Sequence, residues 1–529
     1  MKEFYTIKKG YNNVFRVFLL LLLMCMASVL MVFIFNPELY LYEKLFIFAI
    51  YFALFVVFLK NNDIGFYSLA IIVPFNLLIG IIFPIAAKFN LFPVDLVIGM
   101  LLAVWIIGIL NNEVHKFKKT KLDLFLIVLI IVSVISIFPY LFDIINEISK
   151  SPIQLTSYLI FKQTYSTKLL FSLNMLFRVV LYVLFYFYIV NNIDTARIKR
   201  FFTVLISSFF IISMVSIASY AASASNPVKF RLDGGHPNSR ILVDSEFYNR
   251  RSSFPFPHPN TLAGYSLLNM SIPITLFIFS RKLRTKLLWG LILLMFVCGF
   301  AFTQSRAASL GISVSAFIAF ALLMLKFRQG LFKVSAGVVL IMLLIFSFLV
   351  LDLRGLTDVY KSAEYDLDEK YKATLEITTR PEGRVNLIWP TTINIIKDNF
   401  LIGIGQGMYS KEYENYLSKR NVRYTNEIHA HNFYLHAFAE LGVIGFVIYA
   451  LIFYIALKTA LLYIINKSGA INKSNKSRAI NWDYCIVFSI FIGIAALLIH
   501  SFFDNLLFWR EIAVLFWMQT GFLFVIAGK

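Results

Sequence analysis

The sequence predicts an all-α, polytopic membrane bundle with a large extracytoplasmic loop, and three observations carry that reading. Of 529 residues, 59% are hydrophobic and 15% charged, with 56 Phe, and the mean hydropathy is +0.76, far from the soluble balance. Apolar runs of roughly 17–25 residues, each long enough to cross about 30 Å of hydrocarbon as a helix, recur from end to end. Alternating ten-residue strands do not occur, so the pattern is that of a helical bundle and not of a β-barrel.

In chain order the runs are 15–35, 43–59, 65–87, 94–110, 122–144, 169–191, 201–222, 261–279, 287–303, 307–325, 334–352, 442–465, 484–502 and 507–527, which predicts about 12–14 spans. The first follows a basic segment, "MKEFYTIKKG", as a signal peptide would, but it is long and lacks a small-x-small cleavage site, so it is expected to remain as the first helix. Placing both termini in the cytoplasm puts "NNEVHKFKKTK", "DTARIKR", "RKLRTK", "KFRQGLFK" and "NKSGAINKSNKSR" inside, as the positive-inside rule requires. The net charge of +20 is then a matter of topology, since no soluble basic domain exists to present it to nucleic acid. Cys25, Cys298 and Cys485 all sit inside apolar runs and offer neither a disulfide framework nor metal-ligand spacing.

Four regions follow: N-terminal helices (1–222), a helical region with outer arginine motifs (223–352), an extracytoplasmic loop carrying site residues (353–441) and C-terminal helices (442–529). From Leu353 to Asn432 the loop holds eleven Lys/Arg and eleven Asp/Glu, so it is not simply a basic field. Its "KSAEYDLDEKYKATLEI" predicts short helices, punctuated by "TTRPEG" and "GIGQG". Six of the seven histidines, all but His115, fall outside or at outer helix ends.

The stretch "EIHAHNFYLHAFAELGVIG" gathers the most chemistry. Asn432 reads as the N-cap of a helix that Gly442 interrupts. His431 then sits at the helix mouth, where the positive end of the dipole favours anions and keeps an imidazole neutral, as a general base must be. His429 and His431 form an H-x-H pair, but the nearby acids are only Glu427 and Glu440, so no metal is expected. His436 and Glu440, at i and i+4, are positioned to pair with each other. In "TQSRAASLGI", Arg306 stands at the edge of a span, a costly place for a charge unless it is paired or faces water. "RRSSFPFPHPNTLAGY" supplies Arg250, Arg251, His258 and Asn260 ahead of a helix start, and "GRVNLIWPTTINIIKDNFLIGIGQG" sets Arg384 and Trp389 on an amphipathic helix ending in a glycine loop. That loop follows no Rossmann strand, so it is not a nucleotide fingerprint. Guanidinium groups converging on one side with a histidine suit a pyrophosphate at the membrane surface.

The sequence resembles the bacterial O-antigen ligase and O-antigen polymerase superfamily. The likeness rests on "HNFYLHAFAELGVIG" from His431 to Gly445, Ser305-Arg306, the Arg251 to Gly264 element and the Arg384 to Gly407 element, in the family's order, and covers about residues 240–510. It implies a GT-C-like, metal-independent membrane glycosyltransferase without cofactor, taking a glycan from a polyprenyl-pyrophosphate carrier to a glycan or lipid acceptor, in contact with membrane lipids and with a flippase and chain-length regulator. It further implies His431 as the base or orienting group, with Arg306, Arg384 and Arg251 binding the donor pyrophosphate. His258, Asn260, Asn432, His429 and Trp389 join them as expected substrate-binding positions. Two arginines stand where the family has one, which leaves Arg250 and Arg251 as alternatives. The competing class is a flippase for the same lipid-linked glycans, which requires cations along a central cavity; Arg178 and the Arg510-Glu511 pair are the mid-span charges to account for.

Overall fold

The computed structural model describes residues 4–6, 41–82, 93–111, 116–141, 165–225, 251–256, 258–327, 330–364, 384–418, 429–473 and 481–528. The predicted first span, 15–35, and Arg250, His115 and His236 lie outside them. The described helices are α1 (Leu41–Lys60), α2 (Asn62–Ile82), α3 (Pro93–Asn111), α4 (Asp123–Ile137), α5 (Tyr165–Asn192), α6 (Thr195–Ser225), α7 (Pro259–Phe279), α8 (Leu283–Ala301), α9 (Arg306–Lys326), α10 (Gly330–Glu364), α11 (Trp389–Asp398), α12 (Tyr409–Ser418), α13 (Phe433–Lys473), α14 (Trp482–His500) and α15 (Arg510–Ala527). Eleven spans among the described residues are long and apolar enough to cross a membrane, so the chain is an all-α multi-pass membrane protein.

Three helices form the centre. The spans of α7 and α15 are buried over 94% of their length and that of α14 over 78%, whereas α8 is buried over only 28%. The exposed side chains along the body of α8 include Leu287, Leu288, Leu291 and Leu294, an apolar face fit for lipid. Small residues let the central helices approach: a Cβ on Gly311 of α9 would lie 2.5 Å from the Ala496 carbonyl oxygen of α14.

The polar ends sort into two faces. On one, Arg197 pairs with Asp63 at 2.9 Å, Lys199 with Asp483 at 3.0 Å, and Lys118 donates to the Asn191 carbonyl. A short antiparallel ribbon, β1 (Phe4–Thr6) with β2 (Lys116–Lys118), ties the N-terminal segment to the same face. The helix α14 leaves this face at Asn481, whose side chain accepts from the Tyr484 amide, and reaches the opposite face at His500, about 28 Å away at 1.5 Å per residue. The basic residues Lys118, Arg197 and Lys199 thus lie on the first face, and the described histidines approach the second.

Between α11 and α12, residues 399–408 form the glycine loop, and it has a definite place. The long α13 breaks at Gly442, whose φ of 64° lies in the left-handed region. The break frees carbonyls that an intact helix would occupy, and the loop takes them: Ile404 donates to the Ala439 carbonyl and Gly405 to Glu440, each at 2.9 Å, while Val443 donates to Phe400 at 2.8 Å. At a membrane edge such groups need a partner from the protein itself. The start of α13 at Phe433 and its break at Gly442 match the expected cap and interruption, whereas α10 continues past the expected boundary at 352 to Glu364.

A side chain at 442 tests this joint. Gly442→Ala meets the Leu401 carbonyl oxygen and forces a strained backbone, expected to cost about 1–3 kcal/mol. Thermal unfolding in detergent should show a lower midpoint, with Gly108→Ala, which has open space, as the unaffected control.

Candidate functional site

Five chain segments meet on the second face. The first is the stretch entering α7, where Arg251 is buried; its Nε donates to the Thr303 carbonyl at 2.7 Å and its Nη2 to Asn260 Oδ1 at 2.9 Å. His258 caps α7, its Nδ1 accepting from the Asn260 amide at 3.0 Å. The second is the turn before α9. It is fixed to the first by Ser252 donating to Phe302 at 2.8 Å, and it carries Arg306, the exposed first residue of α9. The third is a single π-turn, Arg384–Ile388, leading into α11. Arg384 is partly exposed and donates to the Phe503 carbonyl at 2.6 Å; the Trp389 indole N–H donates to the Ala430 carbonyl at 3.1 Å.

The fourth is the histidine stretch. Asn432 caps α13, its Oδ1 accepting from the Leu435 amide at 3.0 Å. His431 holds a left-handed backbone, φ 47°, a conformation that costs energy in a non-glycine residue and gathers at functional positions. Its amide donates to His429 Nδ1 at 3.2 Å, and the two rings meet edge to face at 4.4 Å. His429 packs on Phe508 at 5.3 Å.

The fifth segment, residues 501–509 between α14 and α15, brings the acid that the sequence reading missed. Asp504 is 3% exposed; its Oδ2 accepts from Asn260 Nδ2 at 2.7 Å and its Oδ1 lies 3.7 Å from His431 Nδ1. A chain of polar contacts thus runs from Arg251 through Asn260 and Asp504 to His431. Its signal in the sequence is slight, one acid in the short break "SFFDN" between two spans, though the topology puts that break on the same side as the histidines.

Burial and charge set the protonation of these groups. Burial alone would raise Asp504, but the facing His431, then His429 and Arg384, outweigh it and hold its carboxyl well below the usual carboxylate range. Burial, with repulsion from His431, keeps His429 well below its ordinary value; burial pushes His258 down to about 3. An ionised carboxylate therefore stands beside His431, with two neutral imidazoles behind. That changes the sequence-based account of His431: its nearest charged neighbour is a buried carboxylate on another segment.

The ligand atoms of His429, His431 and Asp504 lie within 4.8 Å of one another, a set able to hold a metal. His429 Nδ1 is occupied by the His431 amide, which leaves one nitrogen of that ring for such a role. Other expectations resolve as follows. His436 pairs with Glu440, Nε2 to Oε1 at 3.4 Å. Arg510 and Glu511, expected either to pair or to lie near an end, occupy the first two positions of α15 and take separate partners: Arg510 Nε reaches Asp95 Oδ2 at 3.0 Å and Glu511 accepts from Asn76 at 2.9 Å.

The fold and this cluster define a polytopic membrane protein with a base, a buried acid and several guanidinium groups at one membrane face. Residues 290–450 match the family model described as O-antigen ligase, the family to which the sequence resemblance also points. The match includes Arg306, Arg384, His429, His431 and Asn432, and leaves Arg251, His258, Asn260 and Asp504 outside its bounds. No curated protein matches the chain.

The two neutral histidines make the fold acid-sensitive. Unfolded imidazoles protonate near about 6.5, so below that pH the unfolded chain binds protons that the folded chain refuses, and stability falls with pH until about 3. The melting temperature in detergent should be lower at about pH 5 than at about pH 7.5, and His258→Gln should flatten the dependence.

Proposed function

We propose that this enzyme transfers a glycan from a polyprenyl-pyrophosphate carrier to an acceptor hydroxyl on the extracytoplasmic side, without a metal. The observation that carries the reading is the placement of His431 against the buried carboxylate of Asp504, with Arg384 close enough to act on that carboxylate. The basic loops on the opposite face support the sidedness, since Lys and Arg are retained in the cytoplasm.

In this reaction Asp504 fixes the N–H of His431 on Nδ1 and leaves Nε2 to take the acceptor's proton. The acceptor oxygen forms a bond to the anomeric carbon as the bond from that carbon to the pyrophosphate oxygen breaks. The proton rests on His431 as imidazolium, which the Asp504 carboxylate stabilises, and the electron pair leaves with the diphosphate. Arg384 and Arg306 face the growing negative charge, as a metal would in other transferases, while Arg251 adds positive charge from within. His429 holds the His431 backbone by its Nδ1, and Trp389 and Asn432 hold the segment on either side.

The flippase alternative needs mid-span cations that line a path. The two candidates are instead engaged by the protein: Arg178 Nη2 donates to the Phe508 carbonyl at 2.6 Å, and Arg510 pairs with Asp95. This favours the enzyme.

Turnover of a polyprenyl-pyrophosphate-linked oligosaccharide by the purified protein tests the reading. His431→Ala is expected to lower kcat by about 10²–10⁴-fold, Asp504→Asn to follow it, and Arg384→Ala to raise the donor KM as well. Longer lipid-linked glycans mark a polymerase; dependence on a separate lipid or glycan acceptor marks a ligase. Donor moving across a vesicle bilayer with no glycan transferred would overturn the enzyme reading. EDTA should leave the rate unchanged; a loss reversed by added zinc would assign His429, His431 and Asp504 as metal ligands instead.

A further inference from the structure

One buried cation is not used by the chemistry above. Arg178 lies on α5, 6% exposed, in a bundle where an unused guanidinium is expensive. Its Nη2 donates to the Phe508 carbonyl at 2.6 Å and its Nη1 approaches the Met175 sulfur at 3.1 Å. Asn174, Arg178 and Tyr182 recur every four residues, so they form one polar stripe along α5. All three serve the start of α15 or the segment before it: Asn174 accepts from Arg510 Nη2 at 3.2 Å, and Tyr182 donates to Asp95, the partner of Arg510, at 2.9 Å.

The segment so held is the one that carries Asp504. Its front end is fixed where Ser501 accepts from the Phe433 amide at 2.9 Å, next to the capping Asn432. At its rear, Phe508 places its ring between His429, at 5.3 Å, and His436, at 6.2 Å. His436 is in turn paired with Glu440, which accepts from Gln406 and from the Tyr409 amide. A cavity of about 60 Å³ lies beside this junction, lined by Arg178, His436, Glu440, Asn505 and Phe508. The Nε of Arg178 and both side-chain polar atoms of Asn505 have no hydrogen-bond partner among the described residues. The segment therefore has space to move into, and the Phe508 carbonyl is the point at which it is stopped.

We infer that Arg178 is a positioning residue: through the Phe508 carbonyl it locks the 501–509 segment, and with it the His429 ring and the Asp504 carboxylate, in register with His431. The catalytic consequence rests on the function proposed above; the geometric claim does not. A guanidinium suits the role because its planar fork spans carbonyl and sulfur at once from a rigid helix.

The test compares wild type with Arg178→Met, Arg178→Lys and Phe508→Leu, each purified in detergent, by steady-state turnover and by diethyl pyrocarbonate labelling of His429 read by mass spectrometry. Arg178→Met should lower kcat about ten- to a hundredfold at a donor KM within about twofold of wild type, the signature of misplacement without lost binding. His429 should label several-fold faster, Phe508→Leu should reproduce both effects, and Arg178→Lys, which keeps one donor, should recover most of the rate. Wild-type labelling together with wild-type kcat in Arg178→Met would overturn the inference, as would a raised KM at unchanged kcat, which would mean that Arg178 meets the donor itself. If Arg178→Met does not fold, Arg178→Gln, which also removes the charged fork, decides by the same two readouts. If wild type transfers no glycan at all, the proposed function falls while the labelling still judges the lock.

Discussion

A single buried carboxylate organises the outer face of this protein. Asp504 accepts from Asn260, faces His431 and feels the charge of Arg384, so groups from four separate segments are arranged around one acid. A charge buried at the edge of an apolar bundle is tolerable only with such partners, and each partner is thereby fixed in turn. Arg251 sits behind Asn260, and His429 holds the backbone of His431. The arrangement resembles the logic of a base oriented by an acid, set on a membrane bundle.

The helices supply what a loop-built site lacks, which is rigidity. The central helices α7, α14 and α15 are the most buried of the bundle, and each ends or begins at the site: α7 at Pro259, α14 at His500 and α15 at Arg510. Side chains anchored on such ends shift little, whereas Arg306 and Arg384 are more exposed. The buried histidines and carboxylate are thus held closely, while the two arginines keep longer, more adaptable arms at the rim.

How far the sequence discloses all this depends on the range of the interaction. Spans were legible because length and apolarity are local properties, and the cap at Asn432 and the pair His436–Glu440 were legible because their partners lie three or four residues away. Asp504 was not, since its partners are at positions 260 and 431 and nothing local distinguishes one acid in a short break. Arg178 looked unexplained for the same reason: its partner is a backbone carbonyl at 508, which leaves no mark in side-chain pattern. Arg510 and Glu511 lie near a helix end, one of the two readings the sequence allows, while their partners at 95 and 76 are again distant. The family resemblance pointed to His431 and the arginines, and the contacts between segments add Asp504 beside His431.

The broken α13 carries a consequence for how the chain is made. Its carbonyls at Ala439 and Glu440 accept from the amides of residues 404 and 405, which lie earlier in the sequence. A translocation machinery that releases helices into lipid one at a time would expose those carbonyls to hydrocarbon if α13 left alone. The glycine loop is already synthesised when α13 emerges, so chain order itself supplies the template on which this helix can be completed. Biogenesis is thereby ordered from the loop to the helix, and a circular permutation that reversed the two would remove that order while leaving every native contact available.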